Sequence, residues 1–177
     1  MPAPLYIVYN SAMATTAAPV KQPTGTAIRT MMQLRPASSV VIRPVAWGCS
    51  FDGSAAATPG VLELIEVDVA ATMSTAYAAA DIQGYNAEAL LMAQSAGAGG
   101  IPLNLSTTTS GFATAAVTEG TTTASRMADT QLVAPTNQYV YQWPLSREFI
   151  VQSQKFLRIR ATFGTTINMI CWVLFEV

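Results

Sequence analysis

Histidine is absent from this 177-residue chain. Its absence removes His-based triads, imidazole general bases and His-ligated metal sites together. Charge is also scarce. Asp, Glu, Lys and Arg make up 11% of the residues, against about a quarter in ordinary soluble domains. Hydrophobic residues make up 51%, too many for a disordered segment, so much of the surface must be apolar or uncharged and in contact with something. The only two cysteines, Cys49 and Cys171, stand without another Cys or a His nearby in sequence. A disulfide framework and a zinc site therefore lack support, and both thiols read as small buried hydrophobes.

Long apolar runs are missing too. The longest, Met169 to Phe175, falls far short of the roughly 20 residues that span a bilayer as a helix. The first basic residue is Lys21, Pro2 and Pro4 stand at the start, and the one early apolar run is Leu5 to Tyr9. This is not the basic and apolar succession of a signal peptide, so a soluble product of the cytoplasm with no membrane partner is expected.

The formal net charge of −1 offers no general attraction to phosphate backbones, so no nucleic acid partner is expected. The charges are unevenly placed. Residues 1–43 carry Lys21, Arg29, Arg35 and Arg43 without an acid, residues 44–125 carry seven acids without a base, and 126–177 carry five bases and three acids. Such asymmetry either decorates solvated faces or serves contact between subunits or with a larger surface. On the second reading Lys21, Arg29 and Arg35 are candidate contact residues.

The length suits one domain, 1–177, with a sizeable core. Turn signals recur every ten residues or so, among them Pro23-Thr24-Gly25, Asp52-Gly53, Pro59-Gly60, Pro135, Pro144 and Gly164. Short strands fit between them. In Val61 to Val69 the apolar positions change phase at Leu64-Ile65, which predicts a β-bulge with Glu63, Glu66 and Asp68 facing solvent. Leu157, Ile159, Ala161 and Phe163 alternate with polar residues and lead through Gly164-Thr165-Thr166 into the last strand, the pattern of a closing hairpin. That last strand is apolar on both faces: Met169, Cys171, Val173 and Phe175 on one, Ile170, Trp172 and Leu174 on the other. One face meets the opposite sheet, and the other needs a loop or a second subunit, which makes Trp172 a further candidate contact. The expected fold is all-β, a single β-sandwich of jelly-roll type. Residues 1–25 are expected as an extended amino-terminal arm, 70–135 as a loop-rich insertion, and 86–94 as a short helix capped by Asn86. Within the insertion, 106–125 hold eleven Ser or Thr in twenty residues, a loop composition.

Candidate chemistry is thin. Glu63, Glu66 and Asp68 have the donors of an acid/base pair or a calcium site, but on a strand they line a face without calcium-loop spacing. Gly97-Ala98-Gly99-Gly100 lacks the Lys-Ser/Thr of a phosphate loop. Asn104-Leu105-Ser106 is a formal glycosylation sequon. Tyr139, Tyr141 and Trp143 alternate and read either as a stacking platform for sugars or bases, the basis of an alternative glycan- or receptor-binding role, or as core or interface packing. No nucleophile has a base beside it, so no enzyme, cofactor or metal is expected.

Three blocks carry a resemblance. Residues 24–34 (Thr-Gly-Thr-Ala-Ile-Arg-Thr-Met-Met-Gln-Leu) lead to Val45-Ala46-Trp47-Gly48-Cys49-Ser50-Phe51-Asp52-Gly53 and the strand after Pro59. Gln142-Trp143-Pro144-Leu145-Ser146-Arg147-Glu148-Phe149-Ile150-Val151 then leads to Phe156 to Ala161 and a terminal Phe175-Glu176-Val177. This order resembles the small β-sandwich decoration, or cement, proteins encoded near the capsid genes of tailed bacteriophages. It covers about two thirds of the chain and skips 70–135. The resemblance implies a structural virion protein, a homotrimer bound to the major capsid protein on the outside of an icosahedral head, with no catalytic residues to carry over. Within these blocks Trp47 reads as a core anchor, Gly53 as a positive-φ turn residue, and Phe149-Ile150-Val151 as a strand.

Overall fold

A computed structural model describes residues 3–13, 16–38, 40–54, 56–89 and 102–177. In chain order the strands are β1 (Leu5–Tyr9), β2 (Gln22–Pro23), β3 (Arg29–Leu34), β4 (Arg43–Phe51), β5 (Gly60–Val67), β6 (Thr75–Ala76), β7 (Gln83–Gly84), β8 (Gly111–Phe112), β9 (Ser125–Val133), β10 (Gln138–Gln142), β11 (Phe156–Thr162) and β12 (Asn168–Glu176). They form two antiparallel sheets. Sheet A runs β10-β4-β12-β1-β7 with β2 also on β12, and sheet B runs β6-β8-β3-β11-β5-β9. The all-β sandwich expected from the turn spacing is what the chain forms.

Alternation builds the core. Tyr6 and Val8 of β1, Trp47 and Cys49 of β4, and Met169, Cys171, Val173 and Phe175 of β12 are buried on the inner side of sheet A. Leu34, Leu62, Leu64, Leu157, Ile159 and Ala161 meet them from sheet B. Trp47 is wholly buried, as its anchoring role requires. Its indole N–H donates to Asp129 Oδ2 at 3.1 Å, and the Tyr139 hydroxyl donates to the same oxygen at 2.6 Å. One carboxylate on β9 thus ties the last strand of sheet B to β4 and β10 of sheet A.

Among the eight longer strands, consecutive ones lie in opposite sheets except β5 and β9, which are neighbours in sheet B. Residues 68–124 leave and return between them and form the elaborated part of the chain. Of its described residues, Ala70 packs on the outer side of sheet B in a small second core with Ile65, Val67 and Phe156, whereas β7 joins the edge of sheet A and Tyr77, Ile82, Ala89 and Leu103 enter the main core. Regular pairing returns at Ser125, earlier than the expected boundary at 135, because β9 is an edge strand with little apolar alternation to reveal it. Within 1–25, the segment expected as an arm, β1 lies between β12 and β7 in sheet A and β2 pairs with β12.

Several local expectations are corrected. β11 and β12 are not a hairpin: β11 lies in sheet B and β12 in sheet A, and the link between them crosses the sandwich. Glu66 does not face solvent. Against β11 the strand β5 keeps strict register, and the irregularity at Leu64/Ile65 falls in its pairing with β9, so Glu66 turns to the inner side and is 4% exposed. Glu63 is half-buried, 3.0 Å from Arg160. Gly53 has no positive φ. Its N–H donates to Pro135 O at 3.0 Å, and a Cβ there would lie 2.5 Å from Pro135 Cβ, so close approach explains the glycine. Phe149 and Ile150 form no strand, and Val151 makes a single bridge to Ile42. Asn86 does cap a helical turn, accepting the Ala89 N–H at 3.1 Å over 87–89. The rest of the expected helix, and the glycines at 97–100, lie outside the described residues.

Candidate functional site

The outward side of sheet A is built by the same alternation that fills the core. On β12, Ile170, Trp172 and Leu174 point away from sheet B and stay half-exposed, while their neighbours in sequence are buried. They are flanked across β4 by Ser50, Gly48 and Ala46, and across β1 Tyr9 and Ile7 stand beside Trp172 and Leu174. Val140 of β10, 58% exposed, pairs with Gly48 and extends the face to the sheet edge. The result is a continuous band across β10, β4, β12 and β1.

Gly48 sets the shape of its centre. A Cβ at this position would lie 2.9 Å from Trp172 Cζ2 and 2.9 Å from the Tyr139 carbonyl oxygen. The missing side chain lets the indole lie down on the sheet, leaving a broad, flat aromatic surface where an upright ring would otherwise stand. Sequence reasoning named Trp172 and missed Gly48. A glycine inside an otherwise apolar strand was the available signal.

Charge is confined to the ends. Arg43 and Glu176 pair at 3.3 Å at one end of the band, and Lys21 and Asp52 pair near the other, where Asp52 also accepts Asn168 N–H at 3.1 Å. Among the described residues of these four strands, the outward positions between the two pairs carry no charge. Hydrogen bonding to Lys21 holds the Asp52 carboxyl below its ordinary pKa.

The four candidate contact residues are not gathered in one place. Trp172 sits at the centre of the sheet A face, and Lys21 lies just before β2 at its border. Arg29 and Arg35 are on and just after β3 in sheet B. Arg29 donates to Ala115 O, and Arg35 lies over the Phe156 ring at 5.4 Å. The basic stretch therefore meets partners in its own chain, including acids of the middle segment.

Tyr139 and Tyr141 share the inward side of β10. Tyr139 meets Trp47 edge to face at 5.3 Å, and Tyr141 meets Trp143 at 4.9 Å. Trp143 is buried, and burial together with Asp129 raises the Tyr139 phenol pKa. Tyr139 and Trp143 thus help to wall the edge of the sandwich, while Tyr141 stays 37% exposed there.

The surface also carries concavities, among them one of about 470 Å³ beside Asp52 and Asn168 and one of about 520 Å³ beside Arg43 and Glu176. Another, of about 230 Å³, lies beside Glu66, Asp68, Arg126 and Lys155, where Arg126 already closes on Glu66. Among the described residues no three His, Cys, Asp or Glu side chains are grouped to hold a metal ion, and no helix is long and apolar enough to cross a membrane. Comparison with family models, with characterised proteins and with solved structures finds no match to the chain.

Proposed function

We propose that this chain is a structural virion protein, a decoration protein that sits on the outside of a phage head, contacts the major capsid protein and its own copies, and stabilises the shell. The observation that carries the reading is the uncharged, half-exposed outer face of sheet A centred on Trp172. The resemblance in the three sequence blocks names the setting, and the sheet face supplies a means of docking.

Strand order supports reading the sandwich as a jelly roll. Lettered B to I in chain order, β1, β3, β4, β5, β9, β10, β11 and β12 fall into sheets G-D-I-B and C-H-E-F, the arrangement of two Greek keys used by many capsid and lectin domains. Fold alone does not choose among those uses. The face supports the docking reading, because it is flat, apolar and without the convergent polar groups that orient a sugar or small ligand.

Magnitude decides how much of the surface must take part. Four strands about 4.8 Å apart and six residues at about 3.3 Å each give a footprint of about 400 Å². That is the size of an interaction patch on a monomer, and about half of one partner's share in a standard interface. A threefold ring also needs two unlike surfaces on each subunit. Val61, Met127 and Leu132, on the outer side of β5 and β9 and exposed by 39%, 52% and 71%, supply the second. Lys21, with a side chain 58% exposed, borders the first and adds a salt-sensitive part to docking.

The test is occupancy on purified phage heads that lack the protein. The chain should co-sediment with heads and raise the temperature at which they release their genome, and Trp172→Asp should lose both effects. Equal occupancy by the variant, or binding to host glycans with none to heads, would overturn the reading.

A further inference from the structure

The ladder between β4 and β12 sets Cys49 directly opposite Cys171. Both side chains are in the buried core and both thiols are free. The main-chain groups tell which kind of pair this is. Cys171 accepts the Asn10 N–H at 3.0 Å and donates its own N–H to Asn10 Oδ1 at 2.9 Å, so its polar groups turn toward the β1 side. On β4 the Val45 carbonyl accepts the Trp143 N–H at 3.0 Å on the β10 side, whereas just past the strand the Asp52 N–H goes to Asn168 O on the β12 side.

Along an antiparallel strand these directions alternate residue by residue. Cys49, in phase with Val45, therefore turns its N–H and C=O toward β10, and Cys49 and Cys171 form a non-hydrogen-bonded pair. Register is regular here, because the irregularity of this ladder lies at Leu174/Phe175. Residues so paired have Cα atoms about 4.5 Å apart and side chains on the same face, which falls inside the roughly 4.4–6.8 Å range that a disulfide bridges.

We propose that Cys49 and Cys171 are a disulfide-forming pair, closed by exchange with a small-molecule disulfide such as glutathione disulfide, and that the bond staples the two central strands of sheet A. One cysteine thiolate attacks glutathione disulfide and releases one glutathione thiolate. The second thiolate attacks the protein sulfur of the mixed disulfide and releases the other glutathione. Two protein thiols are oxidised and one glutathione disulfide is reduced to two thiols, the two protons lost by the cysteines passing through solvent to the two glutathione thiolates.

Burial controls when this happens. It pushes the Cys49 thiol pKa up to about 12 and that of Cys171 well above its ordinary value. The folded chain thus holds almost no thiolate, and exchange belongs to the folding chain. Once closed, the bond constrains a loop of about 120 residues in the unfolded state, which favours the folded one.

Refolding the full chain from denaturant in a glutathione redox buffer, beside a sample kept reduced, tests the pairing. In the oxidised sample, thiols titrated under denaturing conditions should fall from two per chain to none. The mass should drop by two hydrogens, a peptide holding Cys49 should be joined to one holding Cys171, and the melting temperature should rise above that of the reduced sample. Cys49→Ala should keep one titratable thiol and show no link within the chain. Two free thiols in a chain that has regained its β-sheet spectrum, a link only between chains, or an oxidised form that melts below the reduced one would each overturn the proposal.

Discussion

Glu66 on β5 accepts two hydrogen bonds from the Arg126 guanidinium on β9, from Nε at 2.8 Å and from Nη2 at 2.7 Å. The same carboxylate accepts the Gln152 N–H at 2.9 Å, while Arg126 lies over the Phe149 ring at 4.6 Å and donates to Ile150 O at 2.7 Å. A carboxylate from the second-last strand of sheet B thus fastens both the edge strand and the loop between β10 and β11. Replacing Glu66 with Ala leaves a main-chain N–H without its acceptor and removes a two-point charged pair, so it should cost about 1–3 kcal/mol. The midpoint of urea unfolding reads this, with Glu63→Ala, which gives up the contact with a single Arg160 nitrogen, losing less.

Arg158 is the most buried charged residue among the described residues, 1% exposed on the outer side of sheet B. Its guanidinium donates to Gln33 Oε1 at 3.0 Å, to Glu119 O at 3.0 Å and Oε2 at 3.3 Å, and to Val69 O. Glu119 in turn accepts the Thr30 N–H and hydroxyl at 2.5 and 2.6 Å. The network pins both ends of the 68–124 excursion to β3 and β11. Arg158→Met should destabilise by about 3 kcal/mol, since it breaks a buried pair and leaves several acceptors dry. Amide exchange should speed up first at residues 69–72 and 118–120.

How far the sequence spoke depended on whether a residue's burial showed in its own neighbours. The alternation of β12 was legible on both faces, because Met169, Cys171, Val173 and Phe175 and the interleaved Ile170, Trp172 and Leu174 are all apolar. The crossing between β11 and β12 was not, since alternation is the same whether two strands pair or face each other across a sandwich. Glu66 and Arg158 looked like solvated charges because what covers them arrives from far along the chain, from β9 and from the excursion. The Cys49 and Cys171 pairing is likewise a fact of register, invisible at a separation of more than a hundred residues. Of the sheet A face, the central strand and its tryptophan were legible from alternation, while the flanking Ile7, Gly48 and Val140 needed the strand order.

Acid should weaken the fold partly through Asp68. The Thr123 hydroxyl and the main-chain N–H groups of Ala124 and Thr123 donate to its carboxylate and hold its pKa at about 2, against an ordinary 3.8. The unfolded chain therefore takes up this proton first as pH falls, so the stabilisation is complete above about pH 5 and disappears on the way down to about pH 2. Asp68→Asn should flatten the stability profile across that window and leave it unchanged in shape above it. Asp52, lowered in the same direction, keeps part of the slope in the variant.

Gly48→Ala should cost about 1–3 kcal/mol by overpacking, because the Tyr139 carbonyl is fixed by the ladder and only the indole can yield. A shift in tryptophan fluorescence should accompany the loss of stability. An alanine variant with the parent's melting curve and emission would show that the indole does not rest on Gly48.

Sedimentation velocity of the full chain at micromolar concentration, beside Trp172→Asp, tests the docking face most directly. Trp172 is half-exposed on the outward side of sheet A, so an aspartate there is tolerated in the free subunit but costs several kcal/mol in a closed interface without a partner for its charge. The wild-type chain should sediment as a trimer, and the variant as a monomer with an unchanged far-ultraviolet spectrum. A monomeric wild-type chain, or a Trp172→Asp variant that remains trimeric, would contradict the assignment of this face to subunit contact.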